Sequence, residues 1–383
     1  MKEKLVIKNF GPIKSVELEL GRFNVLIGEN ATGKSTVAKV LAVCRYFSYI
    51  NAGLFDENRA FKDGLYQWGL DSFTKNNSYI FYECKHYSIT AERKLRDVTS
   101  NTSSEEITVL DVPYWHIALI SHSKEFEQLR LEWNDERKSN SIRHFFYNNV
   151  ARVMENPFYF PTERGLQSFF SIGGPSNLWD YLYRYYAKWE EINRHVDGEV
   201  EIQPLGIVYK NEGGNSFFRK IDDNDFFNFT SAASGIKSAT PIILAFEHYI
   251  NVREKKKTFI IEEPELNLFP TAQNKLVQYL VEKTMNYGNN ILLTTHSPYI
   301  LTSLNNLMYA HQVGQKYENK TRTVLDKKYW MNPEDVSAYF MLHSGICEDI
   351  IDREEGMIKA EKIDTVSRAL NENFDQLLKI DLN

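Results

Sequence analysis

Gly28-Glu29-Asn30-Ala31-Thr32-Gly33-Lys34-Ser35 is the segment that most restricts what this chain can fold into. It fits the pattern G-x-x-x-x-G-K-[ST], in which glycines let the backbone curl around an anion while successive N–H groups point inward. A helix starting at the same point adds the positive end of its dipole. The flanks agree with that reading. Phe23–Ile27 is a run of the buried-strand kind followed at once by Gly28, and Lys34–Val43 has helical periodicity. The chain must therefore contain a strand–loop–helix unit built to grip phosphate. Lys34 is expected to reach the β- and γ-phosphates of a nucleoside triphosphate, the Ser35 hydroxyl to sit on Mg2+, and Thr36 to touch the α-phosphate. The competing reading, a glycine-containing turn with an exposed lysine, leaves the strand before and the helix after unexplained.

Composition permits such a core. Of 383 residues, 43% are hydrophobic and 14% aromatic, which excludes a disordered or collagen-like chain. The net charge of −6 excludes a globally basic nucleic-acid binder and leaves a local basic groove open. Cys44, Cys84 and Cys347 form no C-x-x-C pair, so neither a zinc site nor a disulfide framework is expected. The N-terminal residues lack the apolar core of a signal peptide, and no apolar stretch approaches the length that spans a bilayer. A cytoplasmic protein without membrane contact is the expectation.

Along the chain, Val16–Leu20 alternates apolar and charged residues, as a half-exposed antiparallel strand does. Residues 44–157 read as an insertion on the nucleotide-binding core. They carry strands at Tyr79–Tyr82, Tyr87–Thr90 and Ile107–Leu110 and a charged helical stretch at Ser123–Met154. Strand character returns at Phe158–Pro161. Leu178–His195 reads as a helix, and Val200–Tyr209 with Ser216–Ile221 as a hairpin. Helices at Pro241–Val252 and Pro270–Met285 then alternate with strands at Thr258–Ile261 and Ile291–Thr295, which implies a parallel sheet. The expected division is 1–43 and 158–310 as two parts of one core, 44–157 as the insertion, and 311–383 as an α/β extension. A helix is expected at Lys359–Leu370.

Further segments carry chemistry. Thr258-Phe-Ile-Ile-Glu262-Glu263-Pro264-Glu265 describes a buried strand delivering carboxylates at its C-terminal end, where open α/β sheets bind ligands. Glu262 is expected to hold Mg2+, directly or through water, and Glu263 to orient and deprotonate an attacking water. A solvated acidic turn is the plain alternative, and the phosphate loop argues against it. His296 lies just past the end of the strand at Ile291–Thr295, where a His can contact a γ-phosphate; a lone His is otherwise usually structural. Ser234-Gly235 precedes the helix at Pro241–Val252 and is a weak anion-binding signal, hard to tell from an ordinary N-cap. Asn9 or Phe10 are candidates for an adenine contact, with core packing the simpler role for Phe10. Arg137, Lys138, Arg143 and Arg152 suit a basic face or a mixed-charge surface helix equally.

GENATGKST, SAASG, FIIEEPE and TTHSP, in that order, resemble the ABC-type ATPases of the SMC/RecF/OLD branch, and more closely the small bacterial AAA family ATPases of anti-phage defence systems. The resemblance is strong over residues 1–43 and 231–304. It implies an α/β P-loop ABC-type ATPase head with a mixed/parallel sheet plus a helical and β-hairpin insertion. By position, Gly28 to Thr36 become the Walker A loop, Ser234-Gly235 the signature, Glu262 the Walker B acid, Glu263 the catalytic base and His296 the switch histidine. Lys34, Glu263 and His296 form the catalytic set, with ATP and Mg2+ as ligands. Such heads pair around two ATPs, which implies a homodimer or higher homo-oligomer. The defence relatives imply a protein effector in trans, a nuclease or toxin; a RecF-like DNA-binding clamp is the alternative. The chain departs from the pattern at Glu262, usually Asp in the wider class, and at the shortened signature. Gln167 is the candidate for the Q-loop position, and otherwise Thr162–Gly165 caps a helix with Glu163 and Arg164 solvated. Glu348, Asp349 and Asp352 lack the strand set that a nuclease domain of such relatives has, so no intrinsic nuclease is expected.

Overall fold

The computed structural model describes residues 3–51, 57–96, 112–124, 127, 157–166, 180–252 and 257–359. The chain opens with β1 (Glu3–Phe10), β2 (Ile13–Leu20) and β3 (Phe23–Gly28), followed by α1 (Lys34–Asn51) and α2 (Glu57–Gln67). Next come β4 (Thr74–Glu83), β5 (Tyr87–Arg96), β6 (Val112–Ser121), β7 (Phe158–Phe160) and α3 (Asp180–Arg194). A small antiparallel sheet, β8 (Glu199–Ile202), β9 (Ile207–Glu212), β10 (Asn215–Lys220) and β11 (Phe227–Asn228), precedes α4 (Ser234–Val252). The chain continues through β12 (Thr258–Glu262), α5 (Pro270–Met285), β13 (Asn290–Thr295), α6 (Pro298–Val324), β14 (Val336–Met341) and β15 (Cys347–Asp349).

Two sheets organise these elements. The central one runs β15-β14-β3-β13-β12-β7, parallel except for the antiparallel β15. β3 and β12 are buried along their whole length, which is why apolar residues dominate them, with Asn24 the buried polar exception inside β3. The second sheet runs β2-β1-β4-β5-β6 and is antiparallel throughout. Its β2 alternates buried and exposed positions, as its sequence requires. The mixed parallel and antiparallel α/β architecture is the one expected.

Hydrogen bonding crosses two of the expected divisions. β4 lies in the segment read as an insertion, yet it pairs with β1 from Lys4↔Glu83 to Phe10↔Thr74. β14 lies beyond residue 310, yet it pairs in parallel with β3 from Val336↔Phe23 to Met341↔Gly28. The helix expected from Pro241 begins at Ser234 and carries Pro241 inside it. Proline suits a first turn, but its ring is also accommodated further along when neighbouring packing holds the helix. Phe10 is fully buried, its ring edge-on to Phe73, which fits the packing role. The strand at Ile107–Leu110, most of the helix at Ser123–Met154, the helix at Lys359–Leu370, Gln167, Arg137, Lys138, Arg143 and Arg152 lie outside the described residues. Among the described residues, no helix is long and apolar enough to cross a membrane.

The core beside β12 is aromatic. Phe246 of α4 stacks on Phe259 with ring centroids 3.8 Å apart, and Phe160 and Tyr249 close around the same ring. Phe259 has no exposed surface. Phe259→Ala is expected to lower the unfolding free energy by about 3–5 kcal/mol in chemical denaturation, because transfer and cavity costs add at a rigid site.

Candidate functional site

β3 delivers the phosphate loop at the C-terminal edge of the central sheet. Gly28 has no room for a side chain: a Cβ there would lie 2.5 Å from the Met341 carbonyl oxygen of β14. Within the loop, Thr32 Oγ1 donates to the Glu29 carbonyl at 2.9 Å. Lys34 Nζ donates to the carbonyls of Gly28 and Glu29 at 2.8 and 2.7 Å. The ammonium is thus held inside the curl of the loop. Burial pulls its pKa from 10.5 down to about 8, against the opposing pull of Glu263, Glu265, Glu262 and Glu29. Ser35 is exposed at the start of α1 and Thr36 is buried. Glu29, Asn30 and Ala31 are exposed on the outer rim, where Glu29 Oε2 meets His343 Nε2 at 2.9 Å.

The neighbouring strands bring carboxylates to the same edge. β3, β13 and β12 are in register, so Leu26, Thr294 and Glu262 lie side by side. Glu262 is 3% exposed, and its carboxyl adjoins the hydroxyls of Ser35 and Tyr159. Burial holds its pKa above the usual carboxylate value, with Lys39, Tyr159 and Ser35 opposing. Its Oε1 is buried without a hydrogen-bond partner. An unpaired buried acceptor is costly, and a hard cation would satisfy it. The pair of Glu262 and the exposed Ser35 hydroxyl therefore fits Mg2+, and the methylene that distinguishes Glu from Asp does not carry the carboxyl away from Ser35.

Glu263 has φ of +45°, a left-handed conformation that is uncommon for a glutamate. Its amide donates to the Thr294 carbonyl at 2.8 Å. That turn lifts the side chain out of the strand, and Oε1 meets His296 Nε2 at 3.2 Å. The opposite ring nitrogen, Nδ1, lies 3.5 Å from Lys34 Nζ. A ring protonated on Nε2 satisfies both neighbours, accepting from the lysine and donating to the glutamate. Lys34, His296 and Glu263, from three separate segments, thus form one chain of contacts. No hydrogen bond or ion pair among the described residues joins Ser234 or Gly235 to that group. Ser234 is exposed at the first turn of α4, and Gly235 is packed so tightly that a Cβ would lie 2.4 Å from the Asn267 carbonyl oxygen.

The half-buried Glu265 and the buried Arg164 support this group and were not singled out from the sequence. Glu265 Oε1 accepts from Thr295 Oγ1 at 2.6 Å and from the His296 amide at 2.8 Å, tying the end of β13 to the loop after β12. Burial raises its pKa. Arg164, read from the sequence as solvated, has no exposed surface. Its guanidinium donates to the main-chain carbonyls of Pro161, Ser238, Glu262 and Glu263. Nothing in the Thr162–Leu166 sequence marks this role, because its partners are main-chain carbonyls.

Geometry and fold define a P-loop nucleotide-binding ATPase head. The profile of a family described as "AAA domain, putative AbiEii toxin, Type IV TA system" matches residues 85–302, more than half of the chain, and the chain belongs to that family. A second profile, described as "AAA ATPase domain", matches residues 1–161. Comparison with curated proteins finds no match. Among solved structures, the SMC head domain from Thermotoga maritima is 11% identical with a TM-score of 0.41, covering 91% of this chain and 98% of that one. The recombination mediator protein RecF of the RecFOR pathway is 11% identical with a TM-score of 0.39, covering 91% and 98%. A dimeric ATP-binding cassette, MJ0796, bound to ADP and Pi, is 9% identical with a TM-score of 0.32, covering 90% and 98%.

The lowered pKa of Lys34 has a direct consequence. Its proton is lost as pH rises through about 8, and with it the positive charge inside the loop. Affinity for ATP without divalent ions, followed by calorimetry, is expected to fall by up to about tenfold per pH unit above that midpoint.

Proposed function

We propose that the protein is an ATP hydrolase whose heads close in pairs around ATP and thereby control a partner effector, a nuclease or toxin, in bacterial anti-phage defence. The observation that carries the catalytic part is the contact chain from Lys34 through His296 to Glu263. A phosphate-gripping amine and a carboxylate base are held on either side of one imidazole, at the strand ends where the triphosphate arrives.

In this reading the loop amides and Lys34 hold the β- and γ-phosphates, with Thr36 near the α-phosphate. Ser35 and Glu262 would hold Mg2+, which supplies charge neutralisation between the phosphates. Glu263 accepts a proton from water as the water oxygen bonds to the γ-phosphorus and the bond to the β-phosphate oxygen breaks, leaving ADP and phosphate. His296 keeps the Glu263 carboxylate oriented and registers whether phosphate occupies the space beside Lys34. The exposed Ser234 turn and the close-packed Gly235 are the surface that a second copy would present to the γ-phosphate. The family's description as a putative toxin of a type IV toxin–antitoxin system supports a defence setting. A neighbouring effector gene whose product co-purifies in the presence of ATP would support the partner assignment.

Lys34→Ala is expected to abolish ATP binding in equilibrium dialysis. Glu263→Gln should retain binding while phosphate release drops at least about 100-fold, the scale of a lost general base. Light scattering should then show the Gln variant as a dimer in saturating Mg–ATP. A monomer under those conditions would refute the paired-head reading, and undiminished phosphate release would refute Glu263 as the base.

A further inference from the structure

We propose that Arg164 is the positioning residue for the Glu262–Glu263 strand end, clamping it to α4 so that the Glu263 carboxylate stays aimed at the triphosphate; this rests on the hydrolase reading above. Arg164 is fully buried, and every hydrogen bond it is seen to make ends on a main-chain carbonyl rather than a carboxylate. One ring of donors spans three segments. Nη1 reaches Pro161, at the end of β7, at 3.0 Å and also the Glu262 carbonyl. Nη2 reaches the Glu263 carbonyl. Nε reaches Ser238, in the second turn of α4, at 3.0 Å.

The clamp falls where the backbone needs it. Glu263 sits at φ +45°, and a non-glycine residue is held there only when its surroundings fix it. Bonds from Arg164 to the carbonyls of Glu262 and Glu263, the peptide groups on either side of the Glu263 α-carbon, do that fixing. A guanidinium can do so because its donors diverge in one rigid plane. A lysine ammonium offers its donors from a single point and cannot span these carbonyls. Without the clamp, Glu263 relaxes toward negative φ and its carboxylate swings away from His296. The phosphate loop makes no bond to Arg164 among the described residues, so nucleotide binding is left in place.

The test compares steady-state phosphate release across ATP concentrations for the wild type, Arg164→Lys and Arg164→Gln, with thermal melting of each protein. Both variants are expected to melt cooperatively and to keep KM within about threefold of the wild type. Their kcat should fall about tenfold for Lys and about 100-fold for Gln, the scale of a small misplacement of a catalytic group. Wild-type kcat in a folded Arg164→Lys overturns the proposal. So does a rise in KM with kcat unchanged. Failure of both variants to fold assigns Arg164 to the fold alone and also overturns it. A wild type that releases no phosphate overturns the hydrolase reading and this proposal together, whereas an active wild type with an equally active Lys variant overturns this proposal by itself.

Discussion

Parallel hydrogen bonding between β3, β13 and β12 is the constraint on which the site depends. Because Leu26, Thr294 and Glu262 share one row of the sheet, the three strands end within a residue or two of each other. Their loops, carrying Lys34, His296 and Glu263, then have nowhere to go but the same edge. A parallel sheet puts all its C-terminal ends on one side, so residues more than two hundred positions apart become neighbours without any long-range design beyond register. A slip of one residue in β12 would turn Glu262 to the opposite face and leave Glu263 in the strand.

This dependence explains what could be read from the sequence. β3, β12 and β13 are buried almost throughout, so apolar residues dominate them, and the pattern changes where glycine, glutamate and histidine follow. Strand ends are where the chemistry sits, and they are also where the sequence pattern changes most sharply. β14 was missed because Val336-Ser-Ala-Tyr-Phe-Met mixes small, polar and aromatic residues. Its signal is burial, not alternation, since Ser337 and Ala338 pack against β3 where little space is left. The start of α4 was placed too late because Pro241 looked like a first-turn residue.

Arg164 and Glu265 were illegible for a different reason. Each is an ionisable side chain whose partners are main-chain groups or hydroxyls, and a sequence does not show main-chain partners. Buried charge is tolerated when hydrogen bonds surround it, and the carbonyls of Pro161, Ser238, Glu262 and Glu263 do so for Arg164. Glu265 likewise takes bonds from Thr295 and His296. Both residues sit behind Lys34, His296 and Glu263, where their hydrogen bonds hold loops together.

The pairing of β14 with β3 has a consequence for how the protein is made. The strand that carries the phosphate loop is translated well before β14, its partner on one side. Until Met341 has cleared the ribosome, that side of β3 has no neighbour, and the carbonyl that crowds Gly28 is missing. Contacts of such sequence separation form late and slowly. Until β14 is released, the nascent chain therefore holds the strand behind its phosphate loop unpaired on that side.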